Sequence, residues 1–166
     1  MTPTGEAGAL CTELEVDPGR LLKVKKNDEP DNTPRPFDRD RDGLVVGEGA
    51  ATPILEERSH AIARGAKIHA EMLGFGTNSD GGHVTQPDTQ TMGIAMQLAL
   101  EDAGIDATAV KYINAHAPAT DRGDVDEACG EVDYIMGSHR CLDSDIVMSN
   151  NFAFGGINTS LVFAKI

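Results

Sequence analysis

Tryptophan is absent from this chain, aromatic residues make up only 4% of its 166 positions, and 14 basic residues face 27 acidic ones. Each shortage excludes something. With so few large rings a core has to be filled by Ala, Val, Ile, Leu and Met, a composition that suits helices packed on a sheet. A formal net charge of -13 argues against nucleic acid and anionic membrane as partners, since both need a basic face to displace counterions or to meet lipid headgroups. The one basic cluster, Arg20, Lys23, Lys25 and Lys26, is short enough to read as a solvated segment. Cysteine is scarce too. Cys11, Cys129 and Cys141 form no CxxC pair, and an odd count without a secretory leader fits a reducing compartment. No apolar run reaches membrane-spanning length, and the chain is read as cytoplasmic.

What is present suffices for one domain with a genuine core. Residues 1–26 show no sustained period and stay unassigned; residues 27–36 (NDEPDNTPRP) form a turn-rich linker, so that order is expected to begin near Phe37. Short apolar runs in residues 43–55 (GLVVGEGAATPIL) predict a turn and a buried strand, in conflict with Pro53, which would remove a ladder donor. A short helix over 56–64 ending at Gly65, a strand over 68–76 and a polar loop from Thr77 follow. Asp88 is placed to cap a helix running to Ala103, with Met92, Met96, Ala99, Leu100 and Ala103 on one face and Gly104 as its stop. Residues 111–115 predict a strand that delivers His116 at its end, and residues 145–150 and 159–164 predict strands flanking a glycine turn. Alternating strands and helices imply an α/β layered fold.

Some patterns point to chemistry and then fail on spacing. Asp38, Asp40, Asp42 and Gly43 match the opening of a calcium loop, but the twelfth place, where a bidentate Glu should close it, is Gly49. Five histidines and three cysteines show neither HExxH nor zinc-ribbon spacing, so no metal is expected, and no cofactor. Gly74 and Gly76 make a GxG without the third glycine of a dinucleotide loop. Two segments remain: 114–120 (NAHAPAT), which sets an imidazole just past a strand end, and 149–158 (SNNFAFGGIN), a glycine turn bearing Phe152 and Phe154. A neutral histidine donates a hydrogen bond to a carbonyl oxygen that becomes an enolate, and a backbone N–H in a tight turn serves an oxyanion. One histidine alone is not a mechanism.

Four blocks in order carry a resemblance: PRPFDRDRDGLVVGEGAA, RGAKIHAEMLGFGTNSDGGHVTQP, LALEDAGIDATAVKYINAH and VMSNNFAFGGINTSLVF. Over residues 27–166 the chain resembles the elongating β-ketoacyl-acyl carrier protein synthases of the thiolase superfamily. The resemblance implies an incomplete thiolase-like layered fold, the carboxy-terminal half of an α-β-α-β-α sandwich. It also implies the family reaction, in which a cysteine is acylated and two histidines assist decarboxylation of a malonyl thioester whose carbanion attacks the acyl group. By motif, His116 is similar to the first of those histidines and Phe154 to the gating phenylalanine whose N–H adds to the oxyanion hole. Thr120 resembles a threonine that holds the phosphopantetheine arm. Phe152 and Asn158 match the surrounding turn.

The departures are informative. The family's His-Gly-Thr-Ser-Thr run reads here as residues 116–120, His-Ala-Pro-Ala-Thr, and Pro118 offers neither hydroxyl nor backbone donor. Ala153 and Ile157 also replace the usual Gly and Thr. Nothing resembles the nucleophile segment, since Cys11 lies in GALCTEL, and the block that carries the second histidine is missing. Arg122 to Val125 runs directly into DEACGEVDYIMG, so we expect an internal deletion near Val125 and Asp126, together with loss of the amino-terminal half. Two functions follow as expectations. One is a synthase fragment that is inactive alone. The other is a non-catalytic module that binds acyl chains, acyl carrier protein or a ketosynthase subunit, with self-association through an uncovered apolar face.

Overall fold

The computed structural model describes residues 34–41, 43–45, 49–82, 86–121, 123–124, 133–135 and 139–166. A short helix α1 (Arg58–Ala63) leads to strand β1 (Glu71–Ser79) and the long helix α2 (Thr89–Ala103). A 3-10 turn (Ala107–Ala109), strand β2 (Tyr112–Asn114), and the hairpin of β3 (Ile146–Ala153) and β4 (Ile157–Ala164) complete the order. The four strands found among the described residues form one mixed sheet in the order β1-β4-β3-β2. β4 runs antiparallel to both β1 and β3, while β2 lies parallel to β3. This is an α/β arrangement, as its composition and alternation imply.

Helix α2 begins and ends where its sequence says it should. The Asp88 carboxylate accepts the Thr91 N–H at 2.8 Å, satisfying one of the donors a helix start leaves open. At the other end Gly104 adopts φ +66°, and the N–H groups of Gly104 and Ile105 return to the carbonyls of Glu101 and Leu100, the closure that only a left-handed residue permits without strain. Met92 and Ala99 are buried as expected. Ala95, equally buried, was not among the expected core positions, because alanine adds little to an apolar pattern.

Small residues set the distance between α2 and the sheet. A Cβ on Gly76 would stand 2.1 Å from the Ala95 carbonyl oxygen and 2.6 Å from the Ala99 nitrogen; one on Gly74 would stand 2.4 Å from the Ala103 nitrogen. The GxG of β1 is therefore a packing device: two missing side chains admit the helix backbone. Behind this contact Ala99, Met148 and Val162 form the buried core, with Leu73, Met96, Leu100, Ile105, Val110 and Ile146 packed round it.

The structure corrects several expected boundaries. No strand forms among the described residues of 43–55, and Ile54 and Leu55 are 87% and 70% exposed. No neighbouring strand is offered to this stretch among the described residues, and Pro53 could not complete a ladder. β1 starts three residues later than expected and continues to Ser79, because Thr77, Asn78 and Ser79 pair with Thr159, Asn158 and Ile157; polar side chains disguised this end of the strand as loop. Both strands of the terminal hairpin run closer to the turn than expected, to Ala153 and from Ile157. Residues 1–26, Cys11, Cys129 and the expected junction at Val125 and Asp126 lie outside the described residues.

Because the contact at Gly76 is with helix backbone, Gly76→Ala is expected to lower the unfolding free energy by about 3 kcal/mol, at the top of the usual overpacking range. Gly93→Ala, at a position in α2 where a Cβ meets nothing within 4 Å, should raise it by about 1 kcal/mol. Urea unfolding followed by circular dichroism measures both.

Candidate active site

His116 lies two residues past the end of β2, which is held by the parallel pairing of Tyr112, Ile113 and Asn114 with Val147, Met148 and Ser149. The chain then turns through Ala117 and Ala119, both left-handed at φ +45° and +60°. An L-residue with a Cβ pays roughly 1–2 kcal/mol for that conformation, so the turn must be held from outside. Asp124, 1% exposed, holds it. Its Oδ1 accepts the Ala119 N–H at 3.0 Å, and its Oδ2 accepts the N–H of Phe37, itself left-handed at φ +61°.

Arg41 completes the clamp. Its Nε donates to the Thr120 carbonyl at 3.0 Å and lies 3.9 Å from Asp124 Oδ2, while its two terminal nitrogens donate to the carbonyls of Asp38 (3.0 Å) and Asp121 (2.8 Å). Gly43 N–H donates to the Ala119 carbonyl at 3.0 Å. The DRDRDG segment that resembles a calcium loop thus serves to fasten the histidine loop. Asp38 accepts the Asp40 N–H, and Asp42 is outside the described residues. Neither Arg41 nor Asp124 stands out in the sequence as a site residue. The available signal was the pairing of an RDG run with a GD pair, each an ordinary surface turn when read alone.

His116 is half-buried, and its ring meets that of the buried Phe152 edge-on, with centroids 6.1 Å apart and planes at 66°. Burial pushes the imidazole below its ordinary pKa of 6.5, and the charge of Asp124 partly opposes that shift. The ring is therefore neutral at pH 7. Thr120 Oγ1 accepts the Gly123 N–H at 3.0 Å, which leaves its hydroxyl hydrogen to donate.

Phe154 stands at the second position of a turn closed by the Gly156 N–H on the Ala153 carbonyl, with Gly155 at φ +91° in the third. That geometry requires a residue free to take positive φ. The closing bond does not use the Phe154 N–H, and Phe154 is 49% exposed. Asp80 braces the turn from beside it: its N–H donates to the Gly156 carbonyl, and a Cβ on Gly156 would fall 2.3 Å from Asp80 Oδ1. The structure thus sets Phe152 directly against His116, with Thr120 on the same loop and Phe154 two residues past Phe152 on the turn. Among the described residues no three His, Cys, Asp or Glu side chains group as a metal site.

The comparisons with known proteins agree with this architecture. The family profile described as "Beta-ketoacyl synthase, C-terminal domain" matches residues 69–151. The chain belongs to the β-ketoacyl synthase family. Among its relatives, the 3-oxoacyl-[acyl-carrier-protein] synthase 2 of Vibrio harveyi is 34% identical over 226 aligned residues, covering 99% of this chain and 52% of its own length. That of Vibrio cholerae is 49% identical over 131 residues, covering 78% of this chain and 30% of its own. The crystal structure of a β-ketoacyl synthase from Burkholderia phymatum STM815 superposes with a TM-score of 0.83 at 45% identity, over 98% of this chain and 52% of the other. The chain thus spans about half or less of the length of these synthases. A structure titled as the ishigamide ketosynthase/chain length factor gives a TM-score of 0.75 at 26% identity, over 97% of this chain and 51% of that one. The fold is that of the thiolase-like ketosynthases. No helix among the described residues is long and apolar enough to cross a membrane.

Two outcomes test the clamp. Ala117→Gly, which removes the left-handed penalty, is expected to raise the unfolding free energy by roughly 0.5–1 kcal/mol after the greater freedom of unfolded glycine is counted. The His116 titration, followed by proton NMR, should have its midpoint below 6.5 and fall further in Asp124→Asn, which deletes the charge that favours imidazolium. The sign for stability follows. Between the folded and unfolded pKa values the unfolded chain binds more protons, so His116 costs stability as pH falls from 6.5 through its folded value.

Proposed function

We propose that this chain keeps the thioester-binding end of a β-ketoacyl synthase site and does not carry out condensation by itself. The observation that carries the reading is the single neutral histidine set against Phe152 on a loop that also presents Thr120. In the family reaction a malonyl thioester loses carbon dioxide, and the electron pair left on the α-carbon is delocalised onto the thioester oxygen. His116, neutral at pH 7, would donate a hydrogen bond to that oxygen as charge gathers there, and the N–H of Phe154 would serve the oxyanion formed when the carbanion attacks the acyl carbonyl. The hydroxyl of Thr120 would donate to the phosphopantetheine arm, and Phe152 would form the apolar wall behind it.

Two further observations support inactivity in isolation. The chain carries no segment like the family's nucleophile, and the other described histidines, His60, His69 and His139, are exposed, as is Cys141. The alignment with the Vibrio harveyi synthase also runs over 226 positions although this chain has 166 residues. That relative therefore carries several dozen residues without counterpart here, which supports an internal deletion, expected from the sequence near Val125 and Asp126.

A second reading, a non-catalytic module that meets acyl carrier protein, a ketosynthase subunit or another copy of itself, draws on the sheet face turned away from α2. There Met72, Phe163, Val147 and Tyr112 lie in one row across the four strands, with Phe75 and Leu161 beside them; Met72 and Phe75 are among the exposed large apolar side chains. An apolar surface of this kind marks an interaction face or a tendency to associate.

The deciding assay supplies acyl and malonyl carrier proteins to the purified chain. No condensation product above the protein-free control is expected; product formation that vanishes in His116→Ala would refute the reading. Binding of a carrier protein is expected to strengthen as salt rises, because carrier proteins are acidic and this chain carries 27 acidic against 14 basic residues. Binding that is tight at low salt and weakens with added salt would point instead to a local basic docking patch.

A further inference from the structure

A row of side chains crosses three strands and ends at the histidine. Asn158, 1% exposed, sits in β4 with Asn78 of β1 opposite it on one side and Phe152 of β3 opposite it on the other. Its Nδ2 donates to Asn78 Oδ1 at 2.9 Å and approaches Thr91 Oγ1 at 3.4 Å. Asn78 Nδ2 in turn donates to the Thr91 carbonyl at 2.6 Å, in the first turn of α2. The backbone of Asn158 is held as well, since its carbonyl accepts the Thr77 hydroxyl at 2.9 Å. Directly opposed residues in an antiparallel pair have Cβ atoms only about 5 Å apart, so the carboxamide fixed by Asn78 and Thr91 limits where the Phe152 ring can lie. That ring is the one that meets His116.

A buried amide of this kind is costly unless its hydrogen bonds are made, and a valine here would fit a β-strand core better. A second buried polar pair, Ser160 Oγ donating to Asn150 Oδ1 at 2.8 Å, lies one step further along the same face. Asn150 is two residues from Phe152, and neither Asn150 nor Ser160 stands opposite Phe152 in the ladder. It therefore serves as an internal comparison.

We propose that Asn158, fixed by Asn78 and Thr91, is a positioning residue for His116 and acts through Phe152. This rests on the reading of His116 as the functional histidine, but its test does not depend on any activity. The charged group that bears on the imidazole is Asp124, with Arg41 beside it, and both are left in place in every variant. With the carboxamide row broken, Phe152 gains freedom, water reaches the imidazole and the desolvation that holds it neutral is relieved.

The experiment is proton NMR on the full chain, reading the His116 titration midpoint and the nuclear Overhauser contact between the His116 and Phe152 rings. Asn78→Ala and Asn158→Ala are expected to raise the midpoint by about half a unit or more and to weaken the ring contact. Thr91→Ser, which keeps the hydroxyl and the carbonyl, should leave both readouts at their wild-type values. Ser160→Ala should lower the melting temperature while leaving both readouts unchanged. Should Asn158→Ala fail to fold, Asn78→Ala, at the less buried end of the row, decides alone. The proposal is overturned if the asparagine variants melt earlier with midpoint and ring contact unmoved, or if Ser160→Ala shifts the midpoint as far as they do. Failure of the condensation or carrier-binding measurements would bear on the function of His116 and leave this result standing.

Discussion

The closeness of α2 to the sheet is the constraint on which the other features depend. Hydrogen atoms at Gly74 and Gly76, and alanines at 95, 99 and 103, let two backbones approach until only the barest side chains fit between them. Dispersion falls off steeply with separation, so an interface of small residues gains from proximity what it lacks in side-chain area. Once the helix is seated, Thr91 is within reach of Asn78 and Asn158, and the core of Ala99, Met148 and Val162 closes. A fold with so few aromatic residues has to pack this way.

The second organising element is a carboxylate. Asp124 is buried, accepts two backbone N–H groups from residues in left-handed conformation, and has Arg41 nearby. Neither left-handed residue is glycine, so the strain has to be offset by the bonds that the carboxylate and guanidinium make. The family resemblance gives glycine at position 117. Alanine there leaves the histidine loop with its shape but a smaller margin.

Much of this was legible in the sequence where chemistry and period coincide. The Asp88 cap, the buried face of α2 and the Gly104 stop were all readable, because a capping carboxylate, a 3.6-residue repeat and a left-handed glycine are local signals. The segments that resemble the family were also readable, and they led to the strand end at His116 and the turn at Phe154. Tertiary relations were not. Residues 77–79 read as loop because their strand character comes from pairing with β4, and residues 43–55 read as strand because their apolar pattern is not matched by a neighbouring strand among the described residues. The GxG of β1 looks in sequence like an incomplete nucleotide motif, since nothing local reveals that a helix backbone must pass over it. Arg41 and Asp124 lie far apart in sequence, and only the fold shows that they meet.

The strand order has a consequence for how the molecule is made. Among the described residues β1 is the first strand and pairs with β4, about 80 residues further on, and β4 is also the partner of β3. Helix α2 can form and meet β1 as soon as it is synthesised, but the part of its surface that covers β4 stays open until that strand arrives. Loop closure on this scale precedes any reward from the ladder. During synthesis β1 therefore waits about 80 residues for the ladder partner described for it, with α2 seated on one strand, and exposure to chaperones and proteases is set by the timing of β4.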